Sequence, residues 1–405
     1  MFQGWWIVGT HFTAQLFVTG FFVYSLPLLF PLVISEFATD ATTVNLLPST
    51  AALLGLVVAP LAGPLVDNWS AKGLMIIGTL CLILGLLGLS FSQTIVQFVA
   101  VGAVLFAISQ TLLGPLAGSA VISRWFTVTR GRALGIAAIG TSIGGMLIPK
   151  GLGLATSTIG WRGGLQGIAL LVALLVLPLV VFRLWNHPSD RGVEAEASNG
   201  PAGLTPAGGQ VATNKEILTR PAFWFFTLSL SFFLASYTSI LANMGQFCSD
   251  LGLPAEAAPN LIFVLALCGI FGKLGFGYLA DRIPLKVGLI AAISTTGFSL
   301  ALFSTEPSYP VLLLGAGAMG FASGGILPIW NAIVPVIFGV QNFGRTMGWM
   351  MPVIGVILTP SYLIVGSIRD STGSYVLAFQ VFLGVLVVAI LLVLPLRVGG
   401  TDSAS

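Results

Sequence analysis

The chain has 405 residues, of which 56% are hydrophobic and only 7% charged, against roughly 25% charged in an ordinary water-soluble domain. Its 16 basic and 13 acidic residues leave a formal charge of +3 and form no basic block of the kind a nucleic-acid surface requires. The composition excludes water as the main solvent and nucleic acid as a partner, and it demands the lipid bilayer.

A helix that crosses a bilayer needs about 20 predominantly apolar residues. Apolar runs bounded by charges, glycines and prolines predict six such spans near residues 5–33, 44–66, 73–92, 95–123, 132–157 and 162–184. The first run begins at Trp5 without a small-residue cleavage site, so it reads as a retained span and not a signal peptide. Residues 186–220 are rich in Gly, Ala, Pro, Ser and Thr, lack any apolar period, and read as a flexible cytoplasmic linker. Six further spans follow near 222–248, 258–280, 285–304, 309–338, 345–368 and 374–396. The expected fold is an all-α integral membrane protein with twelve transmembrane helices in two pseudo-symmetric six-helix bundles, 1–185 and 221–405. Cys81, Cys248 and Cys268 fall in or at the end of apolar runs without metal-ligand spacing. No cofactor or metal constellation and no nucleophile–base pair appears, so the chain does not read as an enzyme.

Cytoplasmic loops retain an excess of Lys and Arg. With both termini in the cytoplasm, Lys72, Arg124, Arg130, Arg132, Arg183, Arg191, Lys215, Arg220, Arg282, Lys286, Arg345 and Arg397 lie inside, and only Arg162 and Arg369 outside. Reversing the chain would invert that bias. The remaining two basic residues, Lys150 and Lys273, fall within spans. The compact loops point to a bacterial inner membrane.

The two halves repeat one another. Gly63-Pro-Leu-Val-Asp67 after the second span returns 214 residues later as Gly277-Tyr-Leu-Ala-Asp281, and Lys72 returns as Lys286 at the same offset. Pro115, Arg132 and Gly135 align with Pro328, Arg345 and Gly348 at an offset of 213. Parallel repeats of this size place a binding site at the repeat interface near mid-membrane.

The Gly-x-Leu-x-Asp loops with their following basic residue resemble the signature loops of the major facilitator superfamily, and the resemblance spans the whole chain. It implies secondary transport by alternating access, with Asp67, Lys72, Asp281, Lys286, Arg132 and Arg345 in the conformational latch. Gly4-Trp5-Trp6, Trp125-Phe126, Arg130-Gly-Arg-Ala-Leu-Gly135 and Gly140-x-x-x-Gly144 further resemble the monocarboxylate transporters and the bacterial oxalate/formate antiporters.

Ala51, Gly55, Ala59, Gly63 and Asp67 recur every four residues on one face of the second span. The equivalent ladder in the eighth span is Leu265, Gly269, Lys273, Gly277 and Asp281, so a lysine stands where the repeat predicts alanine. Lys273 lies ~12 Å from the cytoplasmic end of its helix, against a half-thickness of ~15 Å. A cation there costs about 2.5–3.5 kcal/mol on insertion scales and typically faces a polar cavity or a partner. The resembling families carry a substrate-binding arginine in a basic-x-x-x-Gly-x-x-x-Asp arrangement, which Lys273, Gly277 and Asp281 match with Lys for Arg. The alternative is a lysine snorkelling to the cytoplasmic surface.

Other polar groups inside spans are candidates for the same cavity. Lys150 falls near the outer leaflet, either an anion attractor or an interfacial lysine. His11 either carries a proton or rests neutral against Gln15. Tyr24, Asn243, Gln246, Trp330 and Asn331 complete the candidate lining. No Asp or Glu falls mid-span, and Gly269 stands where proton-coupled relatives place an aspartate. Proton coupling, if present, then uses His11, a lysine or the substrate's own proton; the other route is anion exchange.

The expected substrate is a small organic anion, above all a monocarboxylate, carried by a functional monomer. The alternatives are an exporter of amphipathic compounds on the same fold, and a membrane sensor or receptor without turnover.

Overall fold

The computed structural model describes residues 3–65, 70–126, 129–192, 212–280, 283–305, 307–339 and 342–396. Among them every regular element is helical. The first span runs over Gly4–Phe37, with a π-helical turn at Gly20–Ser25 where Tyr24 sits. The second is Ala41–Leu65, the third Ala71–Phe91, and the fourth Ile95–Leu113 continued by Pro115–Trp125. The seventh span is Pro221–Ala242 continued by Met244–Asp250; the eighth is Ala257–Ala280 and the ninth Leu285–Phe303. Tyr309–Phe338, Phe343–Thr372 and Val376–Val393 complete the set.

Among the described residues eleven helical stretches are long and apolar enough to cross a membrane, but one of them, Ala133–Arg183, has 51 residues. It is divided at Gly160, whose φ of 76° and ψ of 163° belong to a region that essentially only glycine occupies. Two spans therefore meet at that residue, and the total is twelve, as the apolar runs predict.

The chain forms two compact units. The first consists of Met1–Gly203, Met244–Ser249 and Leu253–Pro259; the second of Leu204–Asn243, Asp250–Gly252 and Asn260–Ser405. Lipid tails are as apolar as leucine, so helices in a bilayer associate by close packing through small residues. In the first unit a methyl added at Gly140 or Gly144 would collide with the carbonyl of Phe12 or Leu16, so the first and fifth spans touch backbone to backbone. Around this seam Phe21, Phe30, Phe98, Phe106 and Trp125 are fully buried, with Phe21 and Phe106 rings 5.3 Å apart.

In the second unit Gly320 and Gly324 of the tenth span sit directly on the carbonyls of Leu265 and Gly269 in the eighth. The seventh span is the enclosed one, 72% of its apolar window buried against 33% for the eleventh and twelfth. Leucines and valines of the peripheral helices, among them Val387 and Leu391, are exposed as lipid-facing residues should be.

Among the described residues each unit carries an ion-pair clasp at the end of its first helix, and the two carboxylates stand 214 residues apart. Glu36, at the end of the first span, pairs with Arg162 at 2.7 Å. Its other oxygen accepts from Trp161 Nε1 at 2.6 Å, while Arg162 also donates to the Ser90 carbonyl at 2.6 Å. Asp250, at the end of the seventh span, receives Arg369 on both oxygens at 2.9 and 3.0 Å. These are the two arginines that the positive-charge bias leaves on the minority side, and each is neutralised by an acid on the first helix of its own half.

Candidate functional site

The eighth span owes its close seat to glycine. Gly320 over Leu265 and Gly324 over Gly269 advance by four residues on both helices. The same step brings Lys273 level with Pro328, and Trp330 follows about 3 Å further along the axis. Lys273 is half-buried. Trp330 is 6% exposed and its Nε1 has no hydrogen-bond partner among the described residues. An unmet buried donor costs ~1–3 kcal/mol, but two residues on from Pro328 the tryptophan is turned about 200° from the face that meets the eighth span, so it does not share a site with Lys273 by this register. Asn331 is exposed. Consecutive residues on a helix diverge by about 100°, and the pair does not share one environment.

The seventh span breaks at Asn243, where φ is −106° and ψ 5°. The break frees backbone groups that side chains then serve. Asn243 Nδ2 donates to the Ser239 carbonyl at 2.9 Å, and its Oδ1 accepts from the Tyr375 hydroxyl at 3.2 Å. Tyr375 is fully buried and was not singled out from the sequence, since a tyrosine at the start of an apolar run reads as an interfacial anchor. Gln246, one turn beyond the break, is 5% exposed and belongs to the first unit.

In the first unit His11, Gln15 and Thr19 form a polar ladder up one face of the first span. Thr19 Oγ1 donates to Gln15 Oε1 at 3.1 Å, and Gln15 Nε2 lies 3.4 Å from His11 Nε2. The His11 ring lies on Gly118 of the fourth span so closely that no side chain fits there. Its Nδ1 is buried without a partner among the described residues. Tyr24 is half-buried and Lys150 exposed, next to Pro149 in the fifth span.

Asp67 and Asp281 lie outside the described residues, as does the side chain of Arg132. The basic residues beside them are placed, and they act on the last span of their own half. Lys72 Nζ lies 4.6 Å from the ring centroid of Trp185, just past the sixth span. Lys286 Nζ donates to the carbonyl of Leu394 at the end of the twelfth, a terminus whose carbonyls lack helical partners. Arg345 donates to the Ala212 carbonyl, where the chain re-enters from residues 193–211, themselves outside the described set.

Comparisons with known proteins agree with this architecture. The chain is 25% identical to monocarboxylate transporter 11 of Mus musculus, covering 93% of this chain and 84% of that protein. It is 28% identical to the fujikurins efflux protein of Gibberella fujikuroi, covering 82% and 68%. Its fold matches the crystal structure of a bacterial homolog of the human lysosomal transporter Spinster, inward-facing and unoccupied, with a TM-score of 0.71 over 96% of this chain and 95% of that one, at 15% identity. The family model described as Major Facilitator Superfamily matches residues 12–286 and 249–403. Twelve helices, a repeat of 214 residues and that match together make this chain a transporter of the Major Facilitator Superfamily.

Proposed function

We propose that the chain moves a small organic anion, above all a monocarboxylate, by alternating access, as proton symport or anion exchange. The observation that carries the reading is Lys273, a cation in the membrane at a position where the repeat calls for a small residue. The name of the murine relative supports the substrate class. Both termini are cytoplasmic in this reading, in the inner membrane of a bacterium, and the functional unit is a monomer. Coupling to protons, if it operates, runs through His11, a lysine or the substrate's own proton, because the position of an embedded aspartate is taken by Gly269.

The test is uptake and counterflow in proteoliposomes across a panel of mono- and dicarboxylates with imposed pH gradients. Wild type accumulates its acid; Lys273→Gln loses about tenfold to hundredfold in uptake, the worth of one charged hydrogen bond; Lys273→Arg retains more. A wild type that moves no carboxylate, or a Lys273→Gln variant that moves its acid unchanged, sinks the assignment. A second reading, export of amphipathic compounds, is favoured by the fungal efflux relative. A drug-susceptibility panel in an efflux-deficient host separates the two.

A further inference from the structure

At one end of the first unit, cations rest on indole rings. Arg183, the last residue of the sixth span, places its guanidinium 4.5 Å from the ring centroid of Trp6. Lys72 and Arg191 both approach Trp185, each at 4.6 Å. The platform is built, because three hydrogen bonds fix the Trp185–Asn186 backbone and side chain. Trp125 Nε1 donates to the Trp185 carbonyl at 3.1 Å, Asn186 Oδ1 accepts from the Lys72 backbone N–H at 2.9 Å, and Asn186 Nδ2 donates to Ser70 Oγ at 3.0 Å.

Among the described residues none of the three cations has a carboxylate within 4.0 Å. Asp190, the neighbour of Arg191, is turned back on the His187 backbone N–H at 3.0 Å. Asp67, Glu194 and Glu196 lie outside the described residues. An indole face attracts a cation but neutralises none of its charge, so among the described residues the charges of Lys72, Arg183 and Arg191 gather at this end of the bundle without a carboxylate partner. Trp6 is 49% exposed, with Phe182 beside Arg183 also exposed, which is the aromatic pattern of a membrane interface.

We propose that Lys72, Arg183 and Arg191, seated on Trp6 and Trp185, bind the headgroup phosphate of an anionic phospholipid. Charge complementarity selects that occupant, because clustered cations flanked by exposed aromatics at a membrane interface match an anionic headgroup, and the cytoplasmic leaflet holds such lipid. The leaflet rests on the orientation proposed above; the headgroup chemistry does not.

The experiment titrates the detergent-solubilised full chain with palmitoyl-oleoyl phosphatidylglycerol, with the matching phosphatidylcholine and with inorganic phosphate, reading bound lipid by native mass spectrometry. Phosphatidylglycerol binds at least about tenfold tighter than phosphatidylcholine, and excess phosphate does not displace it. Arg183→Gln/Arg191→Gln weakens it about thirty-fold, from two surface charges, whereas Lys215→Gln/Arg220→Gln leaves it unchanged. Equal binding of the two lipids by wild type, displacement by phosphate, or full affinity in the Arg183→Gln/Arg191→Gln variant each overturns the proposal. Wild type alone decides the first two outcomes if that variant fails to fold. Protease accessibility of an N-terminal epitope in sealed vesicles tests the orientation separately, so its failure moves the site to the other leaflet without touching the binding result.

Discussion

Lys273 was legible because it breaks a pattern: four of the five ladder positions in the eighth span stay apolar, small or matched to the first copy, and one does not. Trp330 and Asn331 show the opposite case. Both are candidates as aromatic and polar groups within the tenth span, but a helix turns about 100° per residue, and only the tryptophan is buried. The polar ladder of His11, Gln15 and Thr19 follows from four-residue spacing, whereas the role of Gly118 does not, since its partner sits more than a hundred residues away. That contact is testable. Gly118→Val places two methyl groups where the imidazole now lies, so thermal unfolding in detergent should show a loss of roughly 1–3 kcal/mol, the usual cost of overpacking. His11→Ala in the same chain vacates the space and should recover part of it. If Gly118→Val is as stable as wild type, the ring does not occupy that seat.

At the scale of elements, the spans were readable because bilayer thickness imposes a length on every apolar run. Their breaks were not. Hydropathy runs without interruption from Phe223 past Asn243 to Phe247, yet the helix stops at Asn243, since an amide that meets its own backbone and a tyrosine hydroxyl leaves no trace in an apolarity profile. The clasps were readable in principle: Glu36 and Asp250 share the offset that aligned the signature loops, but charges at loop ends do not announce partners 126 or 119 residues away. Two outcomes follow from these contacts, one from the break at Asn243 and one from the clasp at Asp250. Tyr375→Phe removes one buried hydrogen bond and should cost about 1 kcal/mol in thermal unfolding, whereas Asn243→Ala also loses the bond to the Ser239 carbonyl and should cost more than Tyr375→Phe. Asp250→Arg sets two cations against each other and should cost about 1–2 kcal/mol; Asp250→Arg/Arg369→Asp should restore about half or more of it. An exchange variant no better than the single one would mean that the pair does not hold the end of the seventh span.

For the whole molecule, the repeat makes a statement about autonomy. Each unit closes its own fastenings: Glu36 on Arg162 and Lys72 on Trp185 in the first, Asp250 on Arg369 and Lys286 on Leu394 in the second. None of these depends on residues 193–211, whose composition is that of a flexible tether. A tether that only raises effective concentration becomes dispensable once the two units are inserted in one bilayer. A protease site placed among residues 200–209, cut after reconstitution, should therefore leave uptake of the substrate within about twofold of the intact chain. The measurement is uptake before and after cleavage in the same vesicles, with gel electrophoresis to verify the cut. If uptake collapses while both fragments stay in the membrane, the segment takes part in the transport cycle, and Arg345, which reaches the Ala212 carbonyl at its exit, becomes the residue through which it acts.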